Sequence, residues 1–239
     1  MKILAIDSSA KTASVAILED NKVLVDYFIN AGLTHSQTLA QMVESSLKNI
    51  NLTSKDMDYF AVTGGPGSFT GVRIGISLVK GITLPLDKPC VLLSVLESIA
   101  YNFIKDNAVI CAVMDAKCNQ VYNALFEIKD GDLTRLCEDR AIMIDELKSD
   151  IINKYNDCEK IILAGDGADL CMEQLKNIKN LKLAPNNLKY QRASSVALNA
   201  AFKINQGKIY TVDEILPIYL RMPQAQRELN KKINKGELK

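Results

Sequence analysis

The order of secondary-structure signals, given once and then repeated, constrains this chain more than any single motif. Residues 3–6 form a continuous apolar run, the pattern of a strand buried on both faces. Residues 12–18 alternate around Ala13, Val15 and Ile17, and after the polar turn at 19–22 a third strand is expected over 23–29. A helix follows, with Thr34 placed as its N-cap and Leu39, Met42, Val43, Leu47 and Ile50 forming one apolar stripe. Residues 59–63 read as a strand running into Gly64-Gly65-Pro66-Gly67, then a helix over about 70–84, a short strand at 91–93 and a helix at 96–104. Near residue 108 the order begins again. Strands are expected at 109–114, 121–128, 133–144 and 160–164, with helices at 170–179 and 194–205. The two halves share little residue identity, so the repeat lies in the order of elements. The chain therefore reads as an α/β protein with lobes at 1–107 and 108–216 and a C-terminal stretch at 217–239.

A duplicated βββαβα unit is the organisation of the actin-like ATPase (ASKHA) superfamily. In that fold the turn after the first strand approaches nucleotide phosphates, and here it carries Asp7-Ser8-Ser9. Small hydroxyl residues there can donate to phosphate without blocking the backbone amides. The same three residues also suit a polar turn that satisfies its own amides. The most distinctive string is Gly64-Gly65-Pro66-Gly67-Ser68-Phe69-Thr70-Gly71-Val72-Arg73-Ile74-Gly75, joining a strand to a helix. The helix start offers free amides and a positive dipole end to an anion or a backbone. Gly71 and Gly75 share a helix face and allow close packing. No Lys-Ser/Thr follows the glycines, so this is not a Walker loop, and it lacks the Rossmann fingerprint.

Residues 65–75 resemble the signature of the TsaB (YeaZ) family. Ile6-Asp7-Ser8-Ser9 is similar to that family's opening strand and turn, and Thr34-His35-Ser36 with Leu39 to its first helix. Residues 93–100, Asp115-Ala116-Lys117 with Val121-Tyr122, and Pro217-Ile218-Tyr219-Leu220-Arg221 extend the resemblance over nearly the whole chain. One departure is Lys117, where the family usually has arginine; charge is kept and bidentate geometry is lost. The resemblance implies a non-catalytic partner of TsaD, paired through its N-terminal half and joined by the ATPase TsaE. Their product is threonylcarbamoyl-adenosine next to the anticodon of tRNAs that read codons starting with A. It implies a vestigial nucleotide-binding or interface loop made of Asp7, Ser8, Ser9, Gly65, Pro66, Gly67, Ser68, Phe69, Thr70, Gly71 and Arg73. It implies a partner interface at His35, Leu39, Met42, Val72, Ile74 and Gly75. No metal and no cofactor are expected on this chain alone. ATP or ADP is expected at most at the complex interface, tRNA contact is indirect, and the isolated chain self-associates as a homodimer.

The residues test that implication in part. TsaD holds its metal through an H-x-x-x-H pair; the matching positions here are Val95 and Ile99, and aliphatic groups coordinate nothing. His35 is the one histidine, with no acid or nucleophile near it in sequence. Met114-Asp115-Ala116-Lys117 lacks the glycine of a second phosphate turn and places a carboxylate there, which repels phosphate. Residues 163–168 resemble an adenosine turn in position, or a strand-to-helix turn capped by Asp166. A stand-alone actin-like ATPase or small-molecule kinase would need an intact second turn and a catalytic carboxylate, for which Asp7 and Asp115 stand at strand ends. A metallopeptidase is disfavoured by the single histidine. The net charge is +1, with 29 basic and 28 acidic residues, which does not suit a stand-alone nucleic-acid binder. Residues 221–239 carry six basic and two acidic side chains, suited to tRNA phosphates or to a solvated helix end. The six cysteines include no C-x-x-C pair, so reduced thiols in a cytoplasmic protein are expected. The first apolar run is too short for a signal peptide, and no segment is expected to span a membrane.

Overall fold

The computed structural model describes residues 1–155 and 157–221. The first sheet runs in the order β3-β2-β1-β4-β5: β1 (Lys2–Asp7), β2 (Ala13–Glu19), β3 (Lys22–Ile29), β4 (Tyr59–Gly65) and β5 (Cys90–Ser94). The second runs β11-β10-β6-β7-β8: β6 (Ala108–Asp115), β7 (Gln120–Lys129), β8 (Asp132–Arg135), β10 (Ile161–Ala164) and β11 (Leu181–Leu183). In each sheet the first strand of its half pairs antiparallel with the next strand on one side and parallel with a crossover strand on the other. The duplicated two-lobe α/β architecture expected from element order is present. β1 is buried from Ile3 to Asp7 because α-helices cover both faces of its sheet.

The helices are α1 (His35–Asn49), α2 (Phe69–Thr83), α3 (Val95–Ala100), α4 (Ile144–Tyr155), α5 (Ala168–Leu175), α6 (Asn186–Lys189) and α7 (Ala193–Asn205). α1 and α2 cover one face of the first sheet, and α4 and α5 the outer face of the second. The inner faces are covered crosswise. α3, from the first half, packs on β6 and β7 through Val95, Leu96 and Ile99. α7, from the second half, packs on β1 and β2 through Ala193, Val196, Ala197 and Ala200. Alanines on α7 meet Ala5, Ala16 and Ala61 on the sheet, and small facing side chains let helix and sheet approach closely. The strands of the first sheet lie within residues 2–94 and those of the second within 108–183, while the helices cross between the sheets.

Several sequence expectations change. The strand expected over 133–144 is two strands, β8 and β9 (Arg140–Met143), both antiparallel to β7. The chain leaves the ladder between them, where Cys137 and Leu136 turn into the core. β11 and α6 carry too few residues for a readable period, and sequence reading missed both. α2 ends at Thr83, one residue earlier than expected and before Pro85, and a separate 3₁₀ turn follows at Leu84–Leu86, where proline near the start loses no bond. The stretch Phe69–Leu86 corrects the expectation that no segment approaches spanning length: 18 residues with a mean hydropathy of 1.3. Its apolar side packs on β4, the behaviour of a core helix. Thr34 does precede α1, but its hydroxyl donates to Gln37 Oε1 at 2.6 Å and caps no amide. The basic stretch of 221–239 lies outside the described residues, apart from Arg221.

Candidate functional site

The ends of β1, β4 and β6 meet at a cleft of about 330 Å³ between the lobes, lined by Ser9, Lys11, Gly67, Ser68, Phe69, Met114, Asp115, Ala116, Lys117, Tyr122 and Asp166. Asp7, the last residue of β1, is fully buried. Its carboxylate accepts from Thr63 Oγ1 at 2.8 Å and from both the amide and the hydroxyl of Ser9, at 3.2 Å and 3.0 Å. Burial pushes the Asp7 pKa up; the bonds from Thr63 and Ser9 and the nearby His35 oppose that rise. Ser8 Oγ donates to the Gly71 carbonyl at 2.8 Å. The Asp7-Ser8-Ser9 turn is therefore satisfied from within.

The glycine-rich segment is shaped to receive that turn. A Cβ on Gly71 would stand 2.0 Å from the Ser8 carbonyl oxygen, one on Gly75 2.5 Å from Ser8 Oγ, and one on Gly67 2.3 Å from the Ser9 carbonyl oxygen. Real Cβ atoms do not approach so closely, so only glycine fits. The Ser68 amide donates to Ser9 O at 2.7 Å, and Ser68 Oγ caps α2 by accepting from Gly71 N. The room at the start of α2 is thus filled by this chain's own backbone. Gly65, at φ +124°, joins Pro66 through a cis peptide bond, and a Cβ there would meet Ile218 O at 2.5 Å. Pro66 is buried beside it.

On the opposite wall the same device recurs. Gly165, at φ +112°, lies against the end of β6, where a Cβ would stand 1.8 Å from Val113 O. Gly167, not Asp166, is the N-cap of α5, which corrects the expected capping role. The Asp166 carboxylate accepts from Gln191 Nε2 at 3.2 Å instead. Burial pushes its pKa up to about 6; the Gln191 bond opposes the rise and the Asp115 charge adds to it. Asp115 is itself paired with Lys117, through the Lys117 amide at 2.8 Å and its ammonium. Burial disfavours ionised Asp115, yet the bonds from Lys117 outweigh it and the pKa falls below the usual range. The carboxylates around this cleft, Asp7, Asp115 and Asp166, are thus each bonded by their own neighbours.

The other residues singled out from sequence fall in two places. Thr70, His35 and Ile74 line a groove of about 240 Å³ between the β1–β2 turn and the starts of α1 and α2. His35 Nε2 donates to the Ala10 carbonyl at 2.7 Å, so it fixes the β1–β2 turn. Leu39, Met42, Val72 and Gly75 lie inside the first lobe, with Leu39 1% exposed. Their side chains as placed fill the core and offer no area to a partner. Phe69 and Arg73 instead hold Tyr219: the rings stack at 4.6 Å between centroids, and Arg73 Nε donates to the Tyr219 hydroxyl at 2.6 Å.

A sequence profile of TsaD, tRNA N6-adenosine threonylcarbamoyltransferase, matches residues 30–228. The tRNA threonylcarbamoyladenosine biosynthesis protein TsaB of Bacillus subtilis (strain 168) is 29% identical over 232 residues, 95% of this chain and 96% of that protein. TsaB of Buchnera aphidicola subsp. Schizaphis graminum is 31% identical over 202 residues, 81% of this chain and 90% of that protein. The chain belongs to the TsaB (YeaZ) family. Its fold is that of YeaZ from Pseudomonas aeruginosa, with a TM-score of 0.77 at 23% identity, covering 92% of this chain and 99% of the other.

The resemblance set out from the sequence places Val95 and Ile99 where a TsaD histidine pair is expected. Val95 and Ile99 are both fully buried on α3 against β6 and β7, so the space is filled with hydrocarbon. Among the described residues no group of three or more His, Cys, Asp or Glu could hold a metal ion. Sequence reasoning missed Thr63 as the partner of Asp7, and Gln191 as the partner of Asp166. Thr63 stands directly before the glycines at a strand end and was findable. Gln191 comes from a distant loop and had no local signal.

Proposed function

We propose that this TsaB-family chain serves tRNA threonylcarbamoyladenosine biosynthesis as a non-catalytic subunit that docks on TsaD, with TsaE, and holds it in its competent arrangement. The observation that carries this reading is the filling of the ancestral site from within. Ser8 and Ser9 occupy the glycine loop, Lys117 occupies Asp115, and valine and isoleucine stand where a metal pair belongs. What such a molecule retains is surface. The α1–α2 side of the first lobe keeps Leu33 53% exposed at the groove, and Ile74, Leu78 and Ile82 follow one another along α2 at helical spacing, only partly covered by the core. Half-covered aliphatic side chains in a row suit a partner helix and, without that partner, a second copy of this chain. The same reading puts ATP or ADP at the joint interface and not on the isolated subunit, and it makes tRNA contact indirect, in the cytoplasm.

The test is reconstitution with TsaD, TsaE, tRNA and the threonylcarbamoyl donor, scoring modified adenosine with and without this chain. Stimulation is expected, and Leu78→Asp should abolish it while leaving the circular dichroism spectrum unchanged. Equal modification without this chain overturns the reading, as does ATP turnover by the chain alone.

A further inference from the structure

A short stretch of chain crosses the cleft between the lobes. The Ile218 amide donates to Gly64 O at 2.7 Å, and the Ile218 carbonyl sits against Gly65, so this residue is seated on the first lobe. Tyr219 stacks on Phe69, a wall residue of the cleft, and its hydroxyl takes the Arg73 hydrogen bond, with the Arg73 guanidinium 5.4 Å from the ring centroid. The next residue, Leu220, packs into the core of the second lobe, among α3, β6 and β7. Arg221 then donates from Nη1 to the carbonyl of Ala116 at 2.6 Å, on the opposite wall. Four consecutive residues bond first one wall and then the other. Ile218 and Tyr219 remain 46% and 42% exposed, so the grip on the first lobe rests on one backbone bond, one ring stack and one side-chain bond. Such a contact opens at a small fraction of the cost of unfolding either lobe.

We propose that residues 218–221 are a strap that holds the two walls of the cleft together, and that its release, by loss of the Tyr219 seat on Phe69 and Arg73, widens the cleft and admits solvent to Met114 while both lobes stay folded. The sequence fits the task. Only a large flat ring can stack on Phe69 and also receive the Arg73 donor, and only a long cation reaches from the strap to Ala116.

Met114 reports the state of the cleft. Its side chain is 2% exposed on the far wall, and its methyl lies 3.1 Å from where a Cβ on Gly67 would stand. Hydrogen peroxide transfers one oxygen atom to a thioether sulfur and leaves as water, and access sets the rate. Met42 and Met57, buried on the far side of the first sheet, serve as internal controls. In the full-length protein, Tyr219→Ala combined with Arg221→Ala should raise the oxidation rate of Met114, followed by peptide mass spectrometry, by about five-fold or more with Met42 and Met57 unchanged. Tyr219→Phe keeps the stack and should stay near the native rate. An unchanged Met114 rate in the double variant overturns the proposal. So does a parallel rise at Met42 and Met57, because the segment would then be ordinary core packing.

Discussion

At the scale of single residues, the glycines divide by what stands opposite them. A Cβ on Gly71 would stand 2.0 Å from a backbone carbonyl oxygen, which cannot yield, whereas one on Gly81, exposed near the end of α2, would meet nothing within 4 Å. Gly71→Ala should therefore cost about 3 kcal/mol by overpacking. Gly81→Ala should stabilise by about 0.5–1 kcal/mol through helix propensity. Urea unfolding of the two variants checks both signs. Asp166 sets a pH dependence. Its folded pKa of about 6 lies above the usual 3.8, so the folded state binds more protons between those values. Its contribution to stability is full below pH 4 and is lost as pH rises through 6. Asp166→Asn keeps the acceptor for Gln191 and removes the charge. It should gain on the order of 2 kcal/mol over the parent at pH 7 and nothing at pH 4, measured by urea titration at both pH values.

At the scale of elements, the informative helices are the two that cross between lobes. α3 carries Glu97, nearly buried, between Arg135 of β8 at 3.1 Å and Lys203 of α7 at 2.5 Å. Arg135 also pairs with Asp139 at 2.6 Å and lies over the Phe126 ring. A carboxylate with little solvent and two cations joins the helix covering the second sheet to the helix covering the first. Removing its charge leaves Lys203 without its carboxylate and Arg135 with Asp139 alone. Glu97→Gln should therefore cost about 2 kcal/mol, lowering Tm by roughly 4–8 °C in a chain of this size. Calorimetry would check it, and a Tm within one degree of the parent would show that the cations find other partners. Helix α1 offers a contrast in legibility. Its stripe of Leu39, Met42, Val43 and Leu47 was readable from spacing, and so was the helix. Whether the stripe faced a core or a partner was not, because both faces obey the same period.

At the scale of the whole molecule, the crosswise helices make one built unit, and its net charge of +1 leaves no basic excess to grip RNA. The chain alone should bind tRNA no tighter than the non-specific range, roughly 10⁻⁴–10⁻⁶ M at physiological salt. Fluorescence anisotropy with labelled tRNA would check this, and a nanomolar Kd with a steep salt slope would contradict it. The strap adds a second whole-molecule property, since it ties α2, the helix proposed for docking, to the second lobe through Arg73 and Tyr219.

The element order, the duplication, the glycine string and the single histidine were all written in the sequence, because each rests on local patterning or on which atoms a side chain owns. The strand at 133–144 was misread for the same reason: its local pattern is continuous, and only β7 decides that two separate stretches pair with it. The use of the glycines was decided by tertiary structure alone. Gly67, Gly71 and Gly75 are made necessary by Ser8 and Ser9, about sixty residues earlier in the chain, and Gly65 by Ile218, at the far end of the described chain. No local pattern carries the distance between atoms that far apart in sequence. Whether the start of α2 stands open to a ligand or is filled by the chain's own turn is therefore a fact of packing.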